Sequence, residues 1–187
     1  MSAAPYPPAR CTTQQRHAAI TSAQALGVPK TYGRDRGLRI VREPAKLRCI
    51  GEDIHGRSQW LAAPAASAWR RMHVAAANDG VELDLVSAFR SATYQLEILR
   101  RKCDRGQSMD EILKVSAAPG YSEHHSGRVV DLTTPGYAAL EEAFENSAAF
   151  AWLIRNANDH GFHLSYPREN PHGIAYEPWH WCWKRNA

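Results

Sequence analysis

Apolar side chains recur three and four positions apart in three stretches of the chain, the spacing that places them on one face of a helix. This pattern predicts one helix over residues 64–80 and another that ends at Gly106. It predicts a further helix that begins at Ser147 and ends before Gly161. A capping box that begins at Ser108 adds a short helix between the second and the third.

Shorter segments have the patterns of strands. Residues 81–87 alternate apolar with polar side chains, and residues 162–166 and 179–183 are rich in aromatic residues. Proline and glycine interrupt the first fifty or so residues, which we expect to form a loose arm with a few short elements. We therefore predict a single-domain α+β fold, in which helices pack on a small, mainly antiparallel sheet. Residues 1–57 would form the arm and residues 58–187 the main domain.

The composition is that of an ordinary globular protein, with 44% hydrophobic and 22% charged residues, and no apolar run is long enough to cross a bilayer. The net charge of +4 favours acidic surroundings such as nucleic acid, anionic lipid or an anionic wall polymer. Basic residues are not interleaved with aromatic ones, so we expect no nucleic-acid partner. Residues 1–8 contain three prolines and no apolar core. They are not a signal peptide as they stand, so either a leader was removed or export uses another route.

The cysteines are scattered and form no Cys-x-x-Cys pair, which argues against a thiolate zinc knuckle and against a thioredoxin-like redox motif. If the chain works outside the cytosol, Cys11 with Cys49 is the first disulfide to test.

Two short segments, residues 122–131 and 177–180, contain the residue types of a hydrolytic zinc centre. Such a centre takes three nitrogen or oxygen ligands, leaves one position for water, and has a nearby carboxylate that removes the proton of that water. His124, Asp131 and His180 are the candidate ligands. Glu177 is the candidate general base.

Each segment also has an ordinary structural interpretation. Residues 122–131 could be a surface loop followed by an edge strand, with Asp131 capping the next turn. His125 competes with its neighbour, but adjacent residues on an extended chain point to opposite sides, so we expect only one of the two to bind. A strand through residues 177–180 would separate Glu177 from the histidine, whereas a turn or bulge at the strand entry would bring both toward one metal ion.

Four motifs carry a resemblance to a known family. They are, in chain order, Ser87-Ala88-Phe89-Arg90-Ser91 with Tyr94-Gln95, Pro119-Gly120-Tyr121-Ser122-Glu123-His124 with Gly127 and Asp131, Gly161-Phe162 with Tyr166-Pro167, and Glu177-Pro178-Trp179-His180. From about Leu61 to Trp183 the sequence resembles the VanY-like D-alanyl-D-alanine carboxypeptidases. The resemblance implies the zinc peptidase fold shared with hedgehog domains, and substrates drawn from peptidoglycan stem peptides.

The resemblance also implies a role for each matching residue. His124, Asp131 and His180 match the ligands of one zinc ion, and Glu177 matches the general base. Five further positions match groups that bind the substrate or form the pocket: Arg90 and Gln95 for peptide carbonyl oxygens, Ser122 and Tyr166 for the terminal carboxylate, and Trp179 for the pocket wall. Three positions depart from the family pattern, namely Ala88, Val129 and Ser165. Ser165 stands where a basic residue is common, which puts exopeptidase specificity in question.

The function we predict is hydrolysis of D-alanyl-D-alanine in peptidoglycan stem peptides by a monomeric zinc carboxypeptidase. It would act in the periplasm, outside the cell or in the cell envelope, and a phage or secreted effector would also fit. Two alternatives stay open: an endopeptidase that cuts L-alanyl-D-glutamate or a cross-bridge, and a noncatalytic zinc-containing domain that binds the wall or a protein. A third, a cytosolic dipeptidase, would need a pocket closed beyond a dipeptide.

Overall fold

The computed structural model describes residues 7–185, which form two antiparallel sheets with helices packed around them. The strands are β1 Leu47–Glu52, β2 Ser58–Ala62, β3 Asp84–Ser87, β4 Val129–Thr133, β5 Phe162–Leu164 and β6 His180–Trp183. The helices are α1 Thr13–Ala25, α2 Tyr32–Asp35, α3 Ala63–Asn78, α4 Ala92–Asp104, α5 Met109–Val115 and α6 Ala148–Asn156. Short 3₁₀ turns occupy Glu123–Ser126, Glu142–Asn146 and Ala157–His160. The expected α+β fold is confirmed.

The larger sheet has the strand order β3-β4-β6-β5, and every neighbouring pair is antiparallel. All five residues of β4 are buried, because this strand has a neighbour on each side. The pairing of β4 with β6 places Asp131 opposite His180. This register brings together two chain segments that are almost fifty residues apart.

The principal core lies between this sheet, α3 and α6. Pro64 stands in the first turn of α3, where its missing N–H costs no helical hydrogen bond. Trp69 and Met72 then face the core as the sequence predicts, together with Val130 from β4 and Trp181 from β6. A rigid scaffold therefore supports the residues at the end of β4 and the start of β6.

A second core joins the N-terminal region to the rest of the molecule. Ala19 and Ala23 of α1 pack with Leu96 and Leu99 of α4. The carboxylate of Glu43 adds a polar connection, because it accepts hydrogen bonds from the backbone N–H groups of Cys11 and Ala92. The boundary at residue 57 stays a prediction.

The N-terminal region is more regular than the sequence suggests. The expectation of a loose arm with only short elements is wrong for α1, a 13-residue helix that begins with a capping box between Thr12 and Gln15. The helix buries only alanines, so it lacks the strong apolar stripe on which the sequence analysis relied.

The first predicted strand begins at Asp84, three residues later than the sequence predicts. The disulfide between Cys11 and Cys49 does not form, because both residues are free thiols. Within residues 7–185, no helix has both the length and the apolar character needed to span a membrane.

Candidate metal centre

The centre is assembled where the 3₁₀ turn Glu123–Ser126 enters β4. Gly127 joins the two elements with a left-handed backbone conformation, φ 62°. A Cβ atom at this position would lie 3.0 Å from the backbone nitrogen of Ala62, so glycine suits both the conformation and the space. The tight turn brings His124 beside Asp131, as the sequence predicts.

The three predicted ligands lie together in the interior. The distance from His124 Nε2 to Asp131 Oδ2 is 3.2 Å, and that from His180 Nδ1 to Asp131 Oδ1 is 3.1 Å. One ligand atom from each residue lies within 4.8 Å of the other two, and all three residues are buried. Two imidazoles and one carboxylate converge as the donors of a single divalent ion would.

The hydrogen bonds of His124 identify the nitrogen that faces this cluster. Its Nδ1 lies against the carbonyl oxygen of Ala88, which only accepts hydrogen bonds, so Nδ1 carries the proton. Its buried Nε2 forms no hydrogen bond with the described residues and keeps a free lone pair. Burial, with Arg90 nearby, lowers the pKa of His124 to about 4. A neutral imidazole with one nitrogen fixed by a backbone carbonyl is the usual state of a metal ligand.

The ring of His180 is held from both sides. Its Nε2–H donates to the Glu123 carboxylate at 3.1 Å, and its Nδ1 faces Asp131. Burial by itself would lower the pKa of His180, but the hydrogen bonds to these two carboxylates raise it to about 10. Burial would likewise raise the pKa of Glu123, yet the hydrogen bond from His180 lowers it to about 2. A metal ion bound at Nδ1 would replace the proton there and leave the Glu123 contact intact.

Glu177 and Arg90 lie at the edge of the cluster. The backbone N–H of His180 donates to the carbonyl of Glu177, and this turn brings the Glu177 carboxylate to 3.4 Å from His180 Nδ1. Burial raises the pKa of Glu177 to about 7. Arg90 Nη2 lies 3.9 Å from Asp131 Oδ2. The cluster thus has one carboxylate and one guanidinium group beside it.

His125 is not available as a ligand. Its Nδ1–H donates to the carbonyl of Arg90 at 2.6 Å, and its Nε2 accepts the backbone N–H of Gly120 at 3.0 Å. Burial lowers the pKa of His125 to about 3, so the ring stays neutral. Because His124 contacts Ala88 in a similar way, the two adjacent histidines together fix the backbone that carries Arg90.

A narrow pocket of about 30 Å³ opens beside the cluster. Gln95, Ser122 and Tyr166 line it, in agreement with their predicted place near the metal. The buried Oε1 of Gln95 has no hydrogen-bond partner among the described residues, so it is free to bind a ligand. Burial raises the pKa of Tyr166, which keeps the phenol neutral.

Trp179 differs from the prediction of a pocket wall. It packs, partly buried, against the principal core and is not among the described residues that line the narrow pocket. Ser116 and Ile174 line the pocket instead. The sequence predicted neither, because both come from loops far away along the chain. It also missed the role of Glu123, although a carboxylate directly before a candidate ligand histidine was a visible signal.

The antiparallel sheet and the buried His–Asp–His cluster define a protein with the fold of the VanY-type zinc peptidases. The model of the VanY family, described as D-alanyl-D-alanine carboxypeptidase, matches residues 58–186. The chain belongs to this family.

Individual relatives are distant. The chain is 33% identical over 128 residues to YodJ of Bacillus subtilis (strain 168), a match that covers 66% of this chain but only 46% of YodJ. The structure of the LdcB LD-carboxypeptidase has a TM-score of 0.67 and 30% identity, and the match covers 75% of this chain and 69% of LdcB. A single-residue variant of the vancomycin resistance D,D-pentapeptidase VanY, in complex with Zn(II), has a TM-score of 0.60 and 24% identity. The match covers 79% of this chain and 87% of the VanY variant.

Proposed function

We propose that this chain is a zinc metallopeptidase that hydrolyses peptidoglycan stem peptides, acting as a D-alanyl-D-alanine carboxypeptidase at the cell envelope. The observation that carries the proposal is the convergence of His124, Asp131 and His180, with Glu177 beside them. Membership of the VanY family supports it, because that family is described by this activity.

The donor set fits zinc. Two imidazoles and one carboxylate form a three-residue set typical of catalytic zinc. The lone pair of His124 Nε2 accepts no hydrogen bond from the described residues, so it is available to a metal ion. The VanY neighbour with the same fold was solved with Zn(II). When bound, zinc supplies a Lewis acid that polarises a carbonyl oxygen and makes water more acidic.

The surrounding residues would divide the remaining work. Glu177, with its pKa near neutrality, would accept the proton of the attacking water and return it to the leaving amine. Arg90, held by the backbone contact to His125, would face the negative charge that develops on the carbonyl oxygen. Ser122 and Tyr166 would bind the terminal carboxylate from the walls of the narrow pocket. Gln95 donates from Nε2 to the Ala117 carbonyl, and its free Oε1 would accept an N–H of the substrate.

The residues that line that pocket favour a substrate with a free terminal carboxylate. Arg90 and the hydroxyls of Ser122 and Tyr166 can donate hydrogen bonds to a carboxylate there, whereas an internal cleavage would bring no terminal carboxylate to the pocket. The substrate therefore fits a carboxypeptidase better than an endopeptidase. LdcB is an LD-carboxypeptidase, so the residue before the scissile bond could be of either configuration. A pentapeptide has a D residue before its terminal D-alanine, and a tetrapeptide has an L residue there. Comparing the two substrates tests which configuration this chain requires.

The test is digestion of muropeptides by the zinc-loaded protein, followed by mass spectrometry. We expect release of one terminal alanine from the pentapeptide, loss of this activity with a chelator, and recovery with added zinc. Glu177→Gln should remain folded and metal-loaded but nearly inactive. Internal scission would identify an endopeptidase, and a loaded parent protein without turnover would identify a noncatalytic domain; either result contradicts the proposal.

A further inference from the structure

A second, larger cavity lies on the other side of Arg90. Its volume is about 510 Å³, and Arg90 lines both this cavity and the narrow pocket. Its walls include Pro8, Arg57, Trp60 and Tyr94. The cavity therefore adjoins the narrow pocket at Arg90.

The cavity has two guanidinium groups in its walls, each paired with an aspartate that lies outside the lining. Arg57 and Arg90 both line it, and no aspartate or glutamate is among the described residues that do so. Arg57 uses Nε to bond Asp53, and the described residues offer no hydrogen-bond acceptor to its two terminal nitrogens. The Arg57 side chain is 56% exposed, so these nitrogens are accessible to a ligand. Guanidinium nitrogens of this kind bind carboxylates in a forked geometry.

The position of Arg57 is fixed before any ligand arrives. The buried carboxylate of Asp53 accepts bonds from the Arg57 backbone, the Arg57 Nε and the Gln59 side chain. Gln59 Oε1 in turn accepts the backbone N–H of Ala88, two residues before Arg90. One hydrogen-bond chain thus connects the β1–β2 turn to the segment that carries the catalytic arginine, so the two cations keep a defined separation.

We propose that this cavity is a carboxylate-binding subsite for the acyl side of the substrate, with Arg57 as its anion-binding residue. This inference rests on the proposed function and specifies its substrate as acidic. With the leaving residue in the narrow pocket, the acyl part of the peptide extends away from that pocket, and this cavity adjoins the pocket at Arg90. Pro8 and Arg57 precede residue 58, where the family match begins, whereas Trp60, Arg90 and Tyr94 lie within it.

The test uses two peptides that differ only in one group. One is N-acetyl-L-alanyl-γ-D-glutamyl-L-lysyl-D-alanyl-D-alanine, and the other has a carboxamide in place of the free α-carboxylate of the γ-linked glutamate. For the acidic peptide, Arg57→Gln should raise KM about five- to tenfold and leave kcat nearly unchanged. For the amide peptide it should change little. Arg57→Lys should recover part of the loss.

Arg48→Gln is the matched control, because Arg48 is exposed on the adjacent strand of the same hairpin and its loss changes net charge equally. Equal KM values for the two peptides in the parent, or an equal effect of Arg57→Gln and Arg48→Gln, would overturn the subsite.

If the parent cleaves neither peptide, the proposed function fails. Calorimetric binding of both peptides to metal-loaded Glu177→Gln, with and without Arg57→Gln, then decides the subsite separately. Tighter binding of the acidic peptide that depends on Arg57 supports it, and equal binding contradicts it.

Discussion

Asp131 and His180 face each other across the β4–β6 pair, with Asp131 Oδ1 3.1 Å from His180 Nδ1. The strand register therefore sets the distance between two candidate ligands, while the turn at Gly127 adds His124 as the third. Because the sheet is part of the principal core, the metal site would be preorganised before the ion binds.

Replacing the shared carboxylate tests this arrangement. Asp131→Asn keeps the size of the side chain but removes the charge, and we expect zinc affinity to fall at least about 100-fold. Competition with a chromophoric chelator measures the affinity. Asp159→Asn, an exposed position, is the control and should bind zinc like the parent. Unchanged zinc affinity in Asp131→Asn would exclude Asp131 as a ligand.

Glu123 should act on the metal through His180. Its carboxylate accepts the Nε2–H of His180, which orients the ring and makes Nδ1 a better donor. We expect Glu123→Gln to weaken zinc binding about 10- to 100-fold while stoichiometry stays at one ion. The spectrum of the cobalt-substituted protein should change as well, because the ring orientation relaxes. Parental affinity and an unchanged cobalt spectrum would show that the contact is only structural.

His125 should be structural. Both of its ring nitrogens bond buried backbone groups, so His125→Ala leaves a donor and an acceptor unsatisfied. We expect the free energy of unfolding, measured with urea, to fall by about 2 to 4 kcal/mol. His73→Ala, at an exposed position, should change it by less than about 0.5 kcal/mol. Retention of one zinc per folded His125→Ala molecule is expected, and loss of the ion would mean that His125 is a ligand after all.

Asp53 gives the stability of the protein a pH dependence. Burial would raise the pKa of Asp53, but the hydrogen bonds from the Arg57 and His55 backbones and the Arg57 side chain lower it below its usual value. The carboxylate therefore stabilises the fold above a pH of about 4, and this contribution is lost as the pH falls through the lowered pKa.

Asp53→Asn removes that contribution. We expect a loss of about 1 to 3 kcal/mol at neutral pH and a smaller difference from the parent near pH 3, measured by urea unfolding. A constant difference across this range would contradict the assigned role of the ionised carboxylate.

The sequence predicted the parts of the molecule that are encoded locally. The spacing of Trp69, Met72 and Ala76 identifies α3, and the ligand residues lie in two short motifs whose turns follow from Gly127 and Pro178. It did not predict α1, because the alanines that this helix buries give almost no amphipathic pattern.

The sequence did not predict the long-range contacts either. The bond from His180 to Glu123 joins residues 57 positions apart, and the register that brings them together depends on how whole strands pair. Trp179 was misplaced for a related reason. An aromatic residue next to a ligand in the sequence can belong to a pocket wall or to a core, and only the folded structure shows that Trp179 packs against the principal core.

The most direct measurement for the central claim is anomalous diffraction at the zinc edge from crystals of the zinc-loaded protein. We expect one strong peak, at about 2.0 to 2.2 Å from His124 Nε2, His180 Nδ1 and an Asp131 oxygen. The absence of a peak between these three side chains, or a peak held by other residues, would contradict it.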